Sequence, residues 1–242
     1  MSITIHNTHT MTEGSGVRVN RLMPVPPFMN FDPFVLFDHF SLKPGVGFPE
    51  HPHRGFEAIT YLFNGEIEHR DNLGNVSRIG AGGAQRFTAG VGLTHSEMPA
   101  DDAVTDGIQL WINLAQEQKA IAPDYQEAKA EEIHNTAIPG GVMREIVGPN
   151  GPVVLKTPAL YQHLALEPAA CHTLEISPDW RGIIYLRDGS INVNQQTLVA
   201  GQAALVEDET QLVLIAEDTA TLMIAAGQPH HQPIRQRGPY VD

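Results

Sequence analysis

The 242-residue chain has a single cysteine, Cys171, and only 15 lysines and arginines against 28 aspartates and glutamates. One cysteine excludes an intramolecular disulfide framework and any cysteine-based zinc cluster, and it fits a reducing compartment. The formal charge of −13 would be repelled by nucleic acid or an anionic membrane surface, and no basic run offsets it. No apolar stretch is long enough to span a bilayer, and residues 1–10 lack the basic start and apolar core of a secretory signal. These absences leave a soluble, cytoplasmic protein as the expectation, with no nucleic-acid or membrane partner. What is present is ordinary globular composition, 42% hydrophobic and 18% charged, in a chain long enough for one large domain or two small ones.

Strand signals dominate. Ile59-Thr60-Tyr61-Leu62-Phe63 is rich in β-branched and aromatic residues and ends at the hairpin signal Asn64-Gly65. Glu66-Ile67-Glu68-His69 then alternates polar and apolar, and residues 71–75 supply another turn. The same order returns later: residues 183–191 echo residues 59–67 at an offset of 124, and Ala200-Gly201-Gln202-Ala203 echoes Ala81-Gly82-Gly83-Ala84 at an offset of 119. Two matches in one order point to duplicated β-domains. Between the copies, residues 115–132 are rich in Ala, Gln, Glu and Lys, and Pro123 interrupts them, which predicts two short helical pieces. The expected division lies between residues 115 and 150, giving domains 1–130 and 131–242.

Twelve histidines make position more informative than number. In His51-Pro52-His53, residues two apart on a strand share a face, with Cα atoms about 6.6 Å apart at about 3.3 Å per residue. His95 and Glu97 repeat the spacing after the glycine-containing segment Gly90-Val91-Gly92. Alone, the first pair reads as two surface histidines at a proline-containing strand start and the second as a polar strand end. If both face into one small barrel, three imidazoles and a carboxylate meet, a set that suits iron, manganese, cobalt, nickel, copper or zinc. Gly80-Ala81-Gly82-Gly83 precedes a strand rather than a helix and is no phosphate loop, and Ser96 lacks the surroundings of a nucleophile elbow.

Gly45-x5-His51-x-His53-x3-Glu57-x7-Gly65 resembles the first cupin motif, and Gly92-x2-His95 the core of the second. Glu57 sits one place early, and Gly90-Val91-Gly92 replaces the usual Pro-x-Gly; both departures are similar to the pirin branch of the cupins. The wider resemblance includes Phe31-Asp32-Pro33-Phe34, Leu36-Phe37-Asp38, residues 47–57, residues 88–99, and Gln109-Leu110-Trp111-Ile112-Asn113-Leu114. It covers most of the chain and is strongest from 31 to 114.

The resemblance implies a mainly β fold of two tandem antiparallel cupin barrels, a bicupin, with short linking helices. It implies one metal, iron first, in the N-terminal barrel, held by His51, His53, His95 and Glu97. Glu57 becomes a candidate to orient a histidine, with Arg54 and Asp38 as weaker ones; Phe48 and Phe56 are candidates for an apolar wall. Carried into the second copy, the ligand positions fall on Glu175, Ser177, Leu214 and Ala216, which are no ligand set. The implied activity is cleavage of a flavonol such as quercetin by O₂ with loss of carbon monoxide; for that reaction Glu97, a carboxylate at the metal, is the expected general base. The alternative is a non-catalytic regulator that binds a protein partner, its metal serving as redox sensor.

Overall fold

The computed structural model describes residues 2–242. Almost all regular structure is antiparallel sheet, as the turn-punctuated strand pattern predicts. The chain forms two compact units. One holds residues 9–133, 155–157 and 230–242; the other holds residues 2–8, 134–154 and 158–229. Each is a cupin barrel made from a seven-stranded and a four-stranded sheet. No helix among the described residues is long and apolar enough to cross a membrane.

In the first unit the seven-stranded sheet runs in the order Asp124–Ala128, Ala84–Thr88, Phe56–Asn64, Thr105–Asn113, Phe34–Leu42, Val17–Met23, His9–Glu13. Its middle strands read as nearly unbroken apolar runs because both faces are covered: seven consecutive residues from Phe56 to Leu62 are buried. The four-stranded sheet runs Phe48–His53, Leu93–Pro99, Glu66–Asp71, Val76–Gly80. Here burial alternates, as it does for strands with one covered face: Leu93, His95 and Glu97 are buried while Thr94 and Ser96 are half-buried. Phe56, Phe87, Leu93, Trp111 and Val241 belong to one apolar cluster, and Val17, Val19, Phe40, Leu42, Leu62, Ile67 and Ile79 form another.

The second unit repeats the plan. Arg181–Asp188 and Ser190–Val193 form the counterpart of the Phe56–Asn64 and Glu66–Asp71 hairpin, with Gly65 and Gly189 both at positive φ, 75° and 88°. Its core gathers Leu164, Leu186, Ile191, Val193, Leu214 and Leu222, among others.

One local expectation fails. The stretch 115–132 contains only a three-residue 3₁₀ turn, Gln116–Gln118, and then the strand Asp124–Ala128. That strand pairs along its length with Ala84–Thr88, and Tyr125 packs against the apolar cluster around Phe56. Sheet pairing plus an aromatic anchor outweigh the few tenths of a kcal/mol per residue of helix propensity.

Candidate metal centre

The two histidine-bearing strands are neighbours. Antiparallel pairing sets His95 directly opposite His51 and Leu93 opposite His53, with an irregularity between His95 and Glu97. On its other edge the Leu93–Pro99 strand pairs with Glu66–Asp71, which sets Glu97 opposite His69 and His95 opposite Asp71. Directly opposed side chains project from the same face. Ligating atoms of His51, His53 and His95 therefore lie within 4.8 Å of one another, as do those of His69, His95 and Glu97. His95 is common to both groups, while Glu97 falls in the group with His69.

Each of the three converging histidines is engaged through Nδ1. His51 Nδ1 lies 2.8 Å from the carbonyl oxygen of Pro49 and His53 Nδ1 lies 3.3 Å from that of Pro239. A carbonyl only accepts, so both Nδ1 atoms carry a proton, and in the neutral ring Nε2 then carries the lone pair. His95 Nδ1 lies 3.4 Å from His69 Nδ1, and its Nε2 is buried without a hydrogen-bond partner. A buried polar nitrogen without a partner is costly in a finished core, and this one is free to meet a metal at the point where the three imidazoles converge. Burial and then the neighbouring His51 push the His53 imidazole down to about 3, against the opposing carbonyl of Pro239. Burial, then His53, His51 and His69, lower His95 well below the ordinary histidine value. Both imidazoles are thus neutral at pH 7, the form that binds a metal.

The carboxylate is held as firmly. Glu97 Oε1 accepts from Thr60 Oγ1 at 3.1 Å and from Gln85 Nε2, and Oε2 accepts from Gln109 Nε2 at 2.8 Å. A carboxylate offers about four lone-pair positions, so one remains, on Oε2. Gln109 in turn accepts from Trp111 Nε1, and Gln85 accepts from Tyr125, whose hydroxyl also pairs with Ser77. Rings close the surroundings: His53 stacks on Phe87 at 5.3 Å and meets Trp111 edge-on at 5.0 Å.

His51, His53 and Glu97 open onto a cavity of about 730 Å³. Its apolar lining includes Pro24, Met29, Leu36, Phe48 and Trp111. Glu13, Asp38 and Glu50 also face it, against one guanidinium, Arg21. Arg21 is already committed: it grips both oxygens of Asp38, at 2.8 and 2.7 Å, and Glu13 at 2.8 Å. Such a pocket is partly apolar and negatively biased, which disfavours anionic ligands in the metal-free protein.

The residues expected to support the site divide. Phe48 lines the cavity, but Phe56 lies fully buried behind it, stacked on Trp111 at 4.1 Å. Asp38 lines the cavity as the partner of Arg21. Arg54 instead pairs with Asp242 at 2.7 Å and lies over the Tyr240 ring. Glu57, the candidate to orient a histidine, accepts from Thr88 Oγ1 and from the backbone of Lys156 and Thr157. Its carboxyl therefore anchors the 155–157 segment. His69, Asp71, Gln85, Gln109 and Tyr125 were not singled out for the site. The available signal was a histidine on the apolar phase of Glu66-Ile67-Glu68-His69.

Residues 16–112 match Pirin, and residues 161–242 match the Pirin C-terminal cupin domain. Pirin of Mus musculus is 37% identical over 242 residues, which span 95% of this chain and 83% of the mouse protein. The chain belongs to the pirin family. A quercetin 2,3-dioxygenase from Acinetobacter baumannii, at 28% identity, superposes with a TM-score of 0.91, covering 100% of this chain and 90% of that one. The bacterial pirin YhhW from Escherichia coli, solved in complex with nickel(II), shares the fold at 21% identity, with a TM-score of 0.80 and 94% and 99% coverage. The pirin-like Gly90-Val91-Gly92 has a local reason here. Gly90 sits at φ +49°, and a Cβ on it would stand 2.1 Å from the carbonyl oxygen of Ile121.

Proposed function

We propose that the chain is a metal-dependent dioxygenase that cleaves flavonols such as quercetin with O₂. In this reading the metal, iron first and a related divalent ion otherwise, is held by His51, His53, His95 and Glu97. The observation that carries it is the common orientation of three buried or half-buried imidazoles, each engaged through Nδ1, with His95 Nε2 left as a buried nitrogen without a partner. Similarity to a quercetin 2,3-dioxygenase over the whole chain supports the substrate class.

A divalent transition metal bound there supplies Lewis acidity and open positions for oxygen ligands. The protein does the rest. Leu36, Phe48 and Trp111 give a planar substrate an apolar bed and keep water from its reacting edge. Glu97 accepts the proton of the flavonol 3-hydroxyl at the one position on Oε2 that Gln109 leaves free. Glu97 would offer the same carboxylate to a bound metal, and the fixed donors Thr60, Gln85 and Gln109 keep that carboxylate from swinging in either use.

Iron-loaded protein mixed with quercetin should consume O₂ and release carbon monoxide in equal amounts. Glu97→Gln should retain most metal and lose turnover. Metal-loaded protein that takes up no O₂ with any flavonol would overturn the reading.

A further inference from the structure

Buried beneath the three histidines lies a polar chain that the proposed reaction does not use. Asp71 Oδ2 is 3.2 Å from His69 Nε2, and His69 Nδ1 is 3.4 Å from His95 Nδ1. His69 is fully buried and His95 is 1% exposed. The side chain of Asp71 is fully buried as well.

Two ring nitrogens can share a hydrogen bond only if one carries the proton and the other a lone pair. Asp71 decides which. Its Oδ1 accepts from the backbone of Leu73 at 2.9 Å and Asn75 at 3.0 Å, and Oδ2 accepts from Asn75 Nδ2 at 2.8 Å. With His69 as the fourth donor, every lone-pair position is taken, which is the state of an ionised, acceptor-only carboxylate. A lone pair on His69 Nε2 would face that anion and be repelled, so Nε2 carries a proton, and in the neutral ring Nδ1 then carries the lone pair. Tyr125 stacks on the His69 ring at 4.3 Å and 20°, which fixes its plane.

We propose that His69 and Asp71 are positioning residues of the metal centre: Asp71 sets the tautomer of His69, His69 accepts the Nδ1 proton of His95, and His95 Nε2 is thereby kept as a bare ligating nitrogen. The proposal rests on the metal reading above. It explains a difference among the three histidines. His51 and His53 are oriented by backbone carbonyls, which have no tautomers, whereas His95 is oriented by a side chain that must itself be in the right tautomer. Partners of this kind are worth about 10–100-fold in metal affinity.

The test titrates nickel(II) into metal-stripped, full-length protein and reads the coordination by X-ray absorption. His69→Ala should weaken nickel binding about 10–100-fold while the number of coordinated imidazoles stays as in the wild type. Asp71→Asn should weaken it similarly, because an amide N–H facing His69 Nε2 reverses the direction of the chain. His69→Gln, whose carbonyl can accept the His95 proton, should recover part of the loss. Wild-type affinity in both His69→Ala and Asp71→Asn overturns the proposal. So does the loss of one coordinated imidazole in His69→Ala, which would make His69 a ligand. Wild-type protein that takes up no nickel fails the metal reading instead, so the two failures are distinct.

Discussion

Pro239 presents its carbonyl oxygen to His53 Nδ1 at 3.3 Å, although 186 positions separate the two residues. The contact exists because residues 235–242 return to the first barrel and are fastened there. Val241 is fully buried, its amide donates to Arg54 O at 2.9 Å, and Lys119 Nζ donates to Val241 O, Gly55 O and Asn113 Oδ1 at 2.7–2.9 Å. Burial lowers the Lys119 ammonium to about 8, opposed by the charge of Asp242.

Gly55 tests this fastening. It sits at φ +84°, and a Cβ on it would stand 1.9 Å from Val241 O. Gly55→Ala should cost about 1–3 kcal/mol through backbone strain and displacement of the segment. The measurement is the thermal midpoint of the metal-free protein, paired with nickel affinity, since His53 loses its Nδ1 acceptor when Pro239 moves.

Gln109 joins Trp111 Nε1 to Glu97 Oε2. Gln109→Ala leaves a buried carboxylate oxygen short of a donor, an effect of about 1.5–3 kcal/mol for a hydrogen bond to a charged group. Quercetin turnover should fall about 10–100-fold in kcat with a smaller change in KM, measured by oxygen uptake.

The metal-free protein should weaken in mild acid. His53 is held near 3 and His163 near 4, both by burial first, and His95 is also lowered. Unfolded histidines titrate near 6.5, so between that value and the folded ones the unfolded chain binds more protons. Stability is complete above about pH 6.5 and declines as pH falls toward 3, by up to ~1.4 kcal/mol per pH unit for each group. Urea midpoints at pH 7 and pH 5 check the sign.

Ligand charge should matter. In metal-stripped protein, with Glu13, Asp38, Glu50 and Glu97 against Arg21, the cavity disfavours anions. A sulfated or carboxylated flavonol should bind less tightly than quercetin, by about tenfold at low salt, and added salt should narrow the gap. Fluorescence titration of both ligands at two ionic strengths decides it.

Much of this was legible in the sequence because strands write their faces in a period of two. His51, His53, His95 and Glu97 stood out by that spacing, and the Asn64-Gly65 turn and its echo at Asp188-Gly189 marked the duplication. His69 obeyed the same period, but one histidine among twelve carries no spacing signal, and its contacts with Asp71 and His95 depend on strand register. Gln85, Gln109 and Tyr125 were hidden for the same reason: they act through neighbours brought together by register. Glu57 misled because a motif fixes a position along a strand, not which way the carboxyl turns, and it turns to the 155–157 backbone. The helical reading of 115–132 failed because composition does not reveal an available sheet edge.

The first barrel takes in residues 230–242, which follow the whole of residues 158–229 in the chain. A ribosome therefore delivers the His53 acceptor, Pro239, only after the second barrel has been translated. The acceptor that fixes the His53 ring is in consequence absent from any nascent chain that has not passed residue 239.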